Sequence, residues 1–509
     1  MAQFVRAAAL PEELSTSDEA CPRNVVTALV AKPHEKRPIC IDLDGTLVDT
    51  DTLIEGLVAI VSGRRSLSDL RGLLTPNRAV LKRRVAELVD CAPETLPYNS
   101  ALIAYLQERR WEGHRLVLAT AADARVANSI ADHLGLFDDV ISSDGTHNLK
   151  GDAKAAALVE RFGYKGFDYI GNDRCDLPVW RNAAAIVAVN ASSALMREVR
   201  AIGIPTTTIA TRRPMIKSLL HVMRPHQWSK NLLVFVPMIT AHALTDGAAW
   251  TAAIALFLSL SATASALYIV NDIFDLTSDR RHPRKRSRPL ASGALSLTSA
   301  VAAAIVLLVT GMALAWLAGG VLIVLVYATV SLAYSLWFKR YPLLDVFVLA
   351  ALYTLRVIAG GIVTQHRATM WLMAFSGFTF LSLALVKRAG ELLAIGQSVD
   401  QQSNSRRGYR PGDGAILQMF GSASAFASAI VLALFVNSSA ALQQYRAPEV
   451  LSLMVPIVLF WQCRLWLATV RGNMHDDPIV YAMTDWVSWL VAGAILVVMF
   501  AAAAGITFP

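Results

Sequence analysis

The chain has 509 residues, of which 54% are hydrophobic, and it carries a formal net charge of +8 at pH 7. This length exceeds that of one ordinary domain, and a mean hydropathy of +0.44 excludes a purely water-soluble protein. The 5 cysteines are scattered without a CxxC pair, which excludes a disulfide framework and a zinc ribbon. Most bases lie in loops between apolar segments, so membrane topology explains the positive charge and we expect no nucleic-acid partner.

Charge and hydropathy divide the chain into four regions. Residues 1–35 form an N-terminal extension without the apolar segment of a signal peptide, so we expect the following domain to stay in the cytosol. Residues 36–205 mix charged and apolar residues as a soluble domain does, and residues 206–222 form the expected linker. Residues 223–509 alternate long apolar runs with charged loops, which is typical of a multi-pass membrane domain.

The first motif of the soluble region is "RPICIDLDGTLVDTD", a short apolar strand that ends in two aspartates. Asp42 at the strand end can attack phosphorus and form an aspartyl-phosphate. Asp44, two residues on and therefore on the same side of the extended chain, can protonate the leaving group and then activate water. A carboxylate approaches a phosphate dianion only with a cation between them, so we expect Mg²⁺ as a cofactor with both aspartates as ligands. The alternative is a plain strand followed by an Asp-Gly turn.

This motif resembles the first motif of the haloacid dehalogenase (HAD) superfamily, most of whose members are phosphatases. The resemblance covers about residues 36–200 and implies an α/β, Rossmann-like fold with a helical cap at about residues 51–111. In this family such a cap closes over the substrate and determines specificity.

The later HAD motifs imply further roles in phosphate and metal binding. Thr120, at the end of "HRLVLATAA", stands where the family has a phosphate-binding Ser or Thr. Lys150 in "NLKGDAKAAALVERFG" stands where the family has a lysine that neutralises the phosphate, and Lys154 is the alternative. The fourth motif, "FDYIGNDRCDLPVW", has Asn172 in place of its first acid. The metal ligands that the resemblance implies here are therefore Asp173 and Asp176. Because an amide contributes no charge to a hard cation, we expect slow or metal-demanding hydrolysis, with an inactive domain as the alternative.

In the C-terminal region we predict nine apolar membrane segments, near 230–245, 250–271, 297–317, 319–338, 345–363, 370–386, 416–437, 450–470 and 486–507. Pro237 interrupts the first of them. With the soluble domain inside, the bases concentrate in the cytosolic loops, as the positive-inside rule requires. We therefore expect a bacterial-type inner (plasma) membrane protein whose two active sites both face the cytosol.

The stretch "NDIFDLTSDRRHPRKRSRPLASG" follows the second apolar segment. Asp272, Asp275 and Asp279 are spaced three and four residues apart, which predicts one helical face. Three acids at a membrane helix end are costly unless a cation lies there, so the spacing predicts Mg²⁺ bridging to a diphosphate. The following bases could contact phosphate oxygens: Arg284, Lys285 and Arg288. The alternative is a topogenic basic loop with incidental acids.

The stretch resembles the first aspartate motif of the UbiA superfamily of intramembrane prenyltransferases, a family of all-α bundles with about nine membrane helices. The second aspartate motif of typical members is replaced here by "LALVKRAGELLAIG". With "RPHQWSKNLLVFVP", "LLDVFVLAALYTLRVIAGG" and "GNMHDDPIVYAMTD", the region from Met223 to Asp485 is most similar to the decaprenyl-phosphate phosphoribosyltransferase family.

That resemblance implies 5-phosphoribosyl 1-diphosphate (PRPP) as donor and a polyprenyl phosphate in the bilayer as acceptor. It implies Asp272, Asp275 and Asp279 as metal ligands, with Asn271 as a polar neighbour. Further phosphate contacts would come from Lys230, Arg284, Lys285 and Arg288. Lys387 and Arg388 would contact the 5-phosphate or the lipid phosphate. The alternative is that these two side chains only extend their charged ends to the membrane boundary.

Two further features of the membrane region have no settled role. Arg356 lies in an apolar segment, so it is functional or paired, but Asp345 is about three helical turns away and a direct pair is not expected. Three polar residues precede Pro478: His475, Asp476 and Asp477. They form either a second set of metal ligands or a solvated turn.

The fusion of the two regions suggests consecutive reactions: phosphoribosyl transfer to the lipid, then removal of the 5-phosphate of the product by the HAD domain. The alternatives are prenyl transfer to an aromatic or other small acceptor, and a non-catalytic scaffold or transporter with a degenerate HAD domain. A homo-oligomer also stays open.

Overall fold

The computed structural model of the chain describes residues 37–62, 73, 75–211, 215–283, 285–396, 408–474 and 477–506. Three residues with an expected role lie outside these ranges: Arg284, His475 and Asp476.

The N-terminal domain contains a parallel sheet of six strands in the order β3-β2-β1-β4-β5-β6. The strands are β1 (Ile39–Ile41), β2 (Leu116–Asp123), β3 (Asp139–Ser143), β4 (Asp168–Gly171), β5 (Ile186–Val189) and β6 (Thr206–Ile209). The strand order reverses between β1 and β4, and in such sheets the ligand crevice lies at the carboxyl ends of the strands at this point. The two HAD motifs that follow β1 and β4 are therefore neighbours.

Helices cover both faces of this sheet, as a buried parallel sheet requires. Ile39 and Ile41 belong to one core cluster and Cys40 to the other, which is the alternation of a strand. The helices are α1 (Thr52–Ser62), α2 (Arg78–Leu88), α3 (Ser100–Trp111), α4 (Ala124–Leu134), α5 (Asp152–Phe162), α6 (Leu177–Asn182) and α7 (Ser193–Ala201). The first three lie within the predicted cap, and the HAD-like α/β fold is confirmed. Strand β6 pairs with β5, so the sheet extends into the segment expected to be a linker.

The C-terminal domain is a bundle with eight helices among the described residues that are long and apolar enough to span a membrane. These spans are Gly247–Phe274, Leu297–Leu317, Val321–Arg340, Leu344–Val363, Met370–Leu393, Gly414–Val436, Pro448–Val470 and Trp486–Ala504. Large apolar side chains on them stay exposed, such as Leu322 at 77% and Val309 at 64%, as lipid-facing positions would. The chain is an integral, multi-pass membrane protein.

The prediction of nine such helices is wrong for the first segment, 230–245. Pro225–Phe235 forms a 3₁₀ run of 11 residues and is followed by a five-residue α-helix, Val236–Thr240. Proline has no N–H to donate, so Pro225 and Pro237 favour the starts of short helices over the interior of one long helix.

The remaining helices are numbered in chain order. They are α8 (Met215–Met223), α9 (Val236–Thr240), α10 (Gly247–Phe274), α11 (Leu276–Arg281), α12 (Leu297–Leu317), α13 (Val321–Leu336), α14 (Leu344–Val363), α15 (Met370–Gly396), α16 (Gly414–Val436), α17 (Ser439–Gln444), α18 (Met454–Val470), α19 (Pro478–Thr484) and α20 (Trp486–Ala504).

Candidate active sites

The HAD-like site lies where β1 ends. Asp42 is 8% exposed, and its Oδ1 accepts a hydrogen bond of 2.6 Å from Lys154 Nζ. Lys154 comes from α5 and is 3% exposed, whereas Lys150 is exposed just before that helix. The lysine beside the first aspartate is thus Lys154, and the preference for Lys150 at that position is wrong in this structure.

Asp44 connects the first motif to the cap. Its Oδ1 accepts a hydrogen bond of 2.8 Å from the backbone N–H of Thr52, the first residue of α1. Burial and the nearby carboxylates of Asp51 and Asp42 raise the pKa of the Asp44 carboxyl to about 7. A carboxyl with such a pKa is partly protonated near neutral pH, which suits a group that protonates a leaving oxygen.

Thr120 is buried on β2, the strand beside β1. Its Oγ1 accepts a hydrogen bond of 3.0 Å from the N–H of Ala122. Because Ile41 pairs with Leu118, Thr120 lies at the same carboxyl edge of the sheet as Asp42.

The fourth motif directs two of its side chains inward and one outward. Asp176 is 1% exposed, and its Oδ2 accepts N–H groups of Asn172 and Asp173 at 3.0 and 3.1 Å. Burial and the charge of Asp42 raise the pKa of Asp176 to about 6. Asn172 lies against the first motif, since a Cβ built on Gly45 would be 2.3 Å from Asn172 Nδ2. Asp173 is exposed and caps the turn that follows, so the neutral Asn172 occupies the inner position.

The acidic motif of the membrane domain lies at a break between two helices, α10 and α11. Asp275 stands at the break, whereas Asp272 and Asp279 are 3% and 2% exposed. Arg288 Nη1 donates to Asp272 Oδ1 at 3.1 Å and to Asp279 Oδ2 at 2.6 Å. Arg224 Nη2 also binds Asp272, at 2.6 Å. Two of the three acids therefore converge on one guanidinium.

Asp275 has different partners from the other two acids. Its Oδ2 accepts a hydrogen bond of 3.0 Å from Asn271 Nδ2 and lies 3.5 Å from Lys339 Nζ. The expectation that all three acids share one helical face is therefore wrong, because the helix breaks at Asp275. Lys285 is exposed on the turn after α11.

Neither acidic group is arranged as a metal site: within the described ranges no three His, Cys, Asp or Glu side chains are grouped so that they could hold an ion. The donor chemistry nevertheless fits a hard cation in the membrane domain. Arg288 already places positive charge between two carboxylate oxygens, and Mg²⁺ prefers such oxygen ligands. In the HAD-like site, Lys154 Nζ lies 2.6 Å from Asp42 Oδ1 and 3.9 Å from Asp176 Oδ1, so cationic charge again lies between carboxylates.

A second charged cluster lies inside the bundle. Lys230 and Lys387 donate to Asp477 Oδ2 at 2.7 and 2.8 Å, and the hydroxyl of Tyr353 donates to the same oxygen at 3.2 Å. The side chain of Asp477 is 3% exposed, and the two lysines lower its pKa against the effect of burial. Asp477 is thus buried and not in a solvated turn, and among the described residues it belongs to no group of three possible metal ligands.

Arg356 and Arg388 both have internal partners. Arg356 is 6% exposed and donates to Asn231 Oδ1 at 2.9 Å and to the Tyr327 hydroxyl at 3.0 Å, so the expected lack of a pair with Asp345 is confirmed. Arg388 is 1% exposed and pairs with Asp345 at 2.6 Å and also with Glu391. Arg388 is therefore held by two carboxylates, and its contact with a phosphate stays a prediction.

Two apolar cavities of about 610 and 210 Å³ lie between the helices of the bundle. They share four lining residues: Val236, Leu372, Phe375 and Ile495. The smaller cavity is also lined by Phe380, whose ring centroid lies 5.5 Å from that of Tyr353. The smaller cavity therefore comes within one aromatic ring of Tyr353.

Fold and sites together define a multi-pass membrane bundle joined to a HAD-like α/β domain. Residues 232–475 match the UbiA prenyltransferase family, and the chain belongs to that family through its C-terminal half. The chain is 36% identical to the "Uncharacterized protein y4nM" of Sinorhizobium fredii over 90% of both chains, so that relative has both domains.

Two other relatives are more partial matches. The nodulation protein NoeC of Azorhizobium caulinodans is 34% identical over 56% of this chain and 91% of its own length. The decaprenyl-phosphate phosphoribosyltransferase of Mycobacterium tuberculosis is 34% identical over 36% of this chain, which spans 64% of that enzyme.

Proposed function

We propose that the membrane domain transfers 5-phosphoribose from PRPP to a polyprenyl phosphate, and that the HAD-like domain then removes the 5-phosphate of the product. The observation that supports this proposal is the presence of two separate cationic clusters. One surrounds Asp272 and Asp279, and the other joins Lys230 and Lys387 to Asp477. A donor diphosphate and an acceptor phosphate need two anion sites, whereas prenyl transfer to an uncharged acceptor needs one.

The Asp272 cluster is the proposed site of the donor diphosphate. Asp272 and Asp279 would hold Mg²⁺, with Asp275 at the outer side, and the ion would neutralise the departing diphosphate. Arg224 and Arg288 then exchange carboxylate partners for phosphate oxygens, which guanidinium groups bind well. The exposed Lys285 is a further candidate contact for the diphosphate, as is Arg284, which lies outside the described residues.

The Lys230 cluster is the proposed site of the acceptor phosphate. Lys230, Lys387 and Tyr353 already surround one anionic oxygen, that of Asp477. The polyprenyl chain would occupy the apolar cavities between the helices, the smaller of which is lined by Phe380 next to Tyr353. An oxygen of the acceptor phosphate attacks the anomeric carbon of the ribose, the bond to the diphosphate breaks, and pyrophosphate leaves with the electron pair.

The HAD-like domain would then act on the phosphorylated lipid. Asp42 attacks phosphorus to form an aspartyl-phosphate while Asp44 protonates the departing ribose oxygen. Asp44 next takes a proton from water, which hydrolyses the intermediate and releases inorganic phosphate. Lys154 balances charge beside Asp42, Thr120 and Lys150 are available to the phosphate, and Asp176 with the neutral Asn172 would hold Mg²⁺ weakly.

We further propose that both sites face the cytosol of a bacterial-type inner membrane, since the bases concentrate in the loops on that side. The test uses purified full-length protein in detergent with Mg²⁺, labelled PRPP and a polyprenyl phosphate, with lipid products resolved over time. We expect a labelled lipid that first carries and then loses the 5-phosphate. A phosphorylated lipid that persists would assign the HAD-like domain to another substrate. Absence of labelled lipid, with turnover of a prenyl diphosphate instead, would establish prenyl transfer.

A further inference from the structure

The cap of the HAD-like domain contacts the membrane domain through a buried ion pair. Arg280 Nη1 and Nη2 donate to Glu55 Oε2 and Oε1 at 2.6 and 2.5 Å. The side chains are only 5% and 14% exposed, and Arg280 Nε also donates to the carbonyl of Ala291 at 3.1 Å. A two-point guanidinium-carboxylate pair fixes both distance and orientation. Helix α1 of the cap is therefore held in one position on the transferase.

Two further contacts extend this interface. Ile54 and Val58 of α1 pack against an apolar cluster that includes Ile269 and Leu276 of the membrane domain. Gly293 has φ +73, and a Cβ there would lie 2.6 Å from the Cβ of Asp49. Only glycine allows so close an approach with this backbone conformation.

On the transferase side, the interface segment carries the residues of the diphosphate site. Arg280 directly follows Asp279, and Ala291 lies three residues after Arg288, which binds both Asp272 and Asp279. A change in the partners of Arg288 therefore acts on both ends of the segment that holds Glu55.

On the phosphatase side, the cap connects the interface to the HAD-like site. Thr52, the first residue of α1, binds Asp44. Helix α1 packs closely on α2, since a Cβ on Gly56 would lie 2.3 Å from Val85 Cγ1. Lys82 of α2 donates to the carbonyl of Ala121, next to Thr120, at 2.5 Å and to Asn148 at 3.0 Å.

We propose that the cap is a coupling element between the two active sites, in which Glu55 and Arg280 are positioning residues. Binding of a metal diphosphate draws Arg288 away from Asp272 and Asp279, lets α11 shift, and loosens the cap over Asp42. This inference goes beyond the proposed function and rests on it only in that the Asp272 cluster binds a diphosphate. Neither the donor sugar nor the acceptor lipid enters it.

The test is hydrogen-deuterium exchange of the full-length protein in detergent, followed in α1 and α2. Methylenediphosphonate with Mg²⁺ serves as an uncleavable diphosphate. We expect it to raise exchange in both helices, and we expect Arg280→Ala to raise exchange without ligand by at least about tenfold. Arg281→Ala, at the exposed neighbouring position, should leave both helices unchanged.

Three outcomes decide the inference. The charge swap Glu55→Arg with Arg280→Glu should restore protection that each single variant loses, which a merely misfolded variant would not show. Unchanged exchange in α2 for Arg280→Ala overturns the coupling, as does a ligand effect that survives Asp279→Asn. If the diphosphate changes exchange in the cap but PRPP is not turned over, this inference stands and the proposed function is overturned. If PRPP is turned over but exchange in the cap does not change, the proposed function stands and this inference is overturned.

Discussion

The soluble site and the membrane site hold their acids in different ways. In the soluble domain, Asp176 is held by backbone N–H groups of its own motif, and Asp42 by a lysine on an adjoining helix. In the membrane domain, Asp272 is held by arginines 48 residues before and 16 residues after it. The sheet edge thus holds Asp176 with backbone N–H groups of its own motif and Asp42 with a cation 112 residues further along the chain, whereas the bundle holds Asp272 with arginine side chains from two other segments. Loss of a cation should therefore impair both sites, but the position of Asp176 should depend less on remote side chains than that of Asp272.

The largest effect is expected from Asp42→Asn. Removal of the proposed nucleophile should lower dephosphorylation of the lipid product on the order of 10⁴-fold or more and leave transfer intact. Time-resolved lipid analysis should then show the phosphorylated lipid accumulating. Equal loss of both steps would show that the two sites are not separable.

Asp279→Asn should lower formation of labelled lipid by about 10²–10³-fold, since it removes charge that would neutralise the leaving group. Initial rates with labelled PRPP measure the effect. The matched control is Asp246→Asn, an exposed cap at the start of α10, which should keep the wild-type rate. Similar rates for the two variants would refute a diphosphate site at Asp279.

The two lysines of the third HAD motif can be separated by Lys154→Met and Lys150→Met. The first should slow dephosphorylation by about 10²-fold, because it removes the cation bound to Asp42. The second should change the rate by less than about threefold, since Lys150 is exposed. A larger loss of rate for Lys150→Met than for Lys154→Met would show that Lys150 is the lysine that neutralises the phosphate.

Lys230→Met should raise the KM for the acceptor lipid by about tenfold or more, with a smaller change in kcat, since a charge-assisted hydrogen bond to the phosphate is lost. Steady-state kinetics with varied lipid measure both constants. Arg471→Met, at an exposed position at the end of α18, is the control. A pure loss of kcat would instead place Lys230 at the reacting centre.

The smallest effect is a gain. Asn172→Asp should lower the Mg²⁺ concentration needed for half-maximal dephosphorylation by roughly tenfold, because it restores a charge beside the first motif. A Mg²⁺ titration of the dephosphorylation rate measures it. An unchanged requirement would show that this side chain does not approach the metal.

The sequence predicted the soluble fold and most of its site because the signals are local. Strand ends, the Asp-x-Asp spacing and motif order place Asp42, Asp44 and Asp176. The choice between Lys150 and Lys154 depended on a helix face: Lys154 and Leu158 are both buried at helical spacing, which places Lys154 on the inner face. That periodicity was visible in the sequence.

The membrane site was less predictable. Arg224 and Lys339 reach the acids from other segments, and the burial of Asp477 depends on Lys230 and Lys387 from helices far away in the chain. Hydropathy located the spans but does not report which loop residues meet at a bundle end. It also assigned an apolar segment at 230–245, where Pro237, together with Pro225 before the segment, favours short helices.

If the Lys230 cluster is the acceptor site, as proposed, the carboxylate of Asp477 makes entry of the acceptor an exchange of one anion for another. Two lysines without a counter-charge would be unfavourable in the interior of a bundle, and the carboxylate of Asp477 neutralises one of their two positive charges. When a phosphate displaces it, the total charge near the lysines changes little if Asp477 swings out to the cytosol. The affinity for the phosphate then reflects the difference between the binding free energies of the phosphate and of the Asp477 carboxylate. Binding in this highly charged pocket therefore stays reversible, and a product can leave.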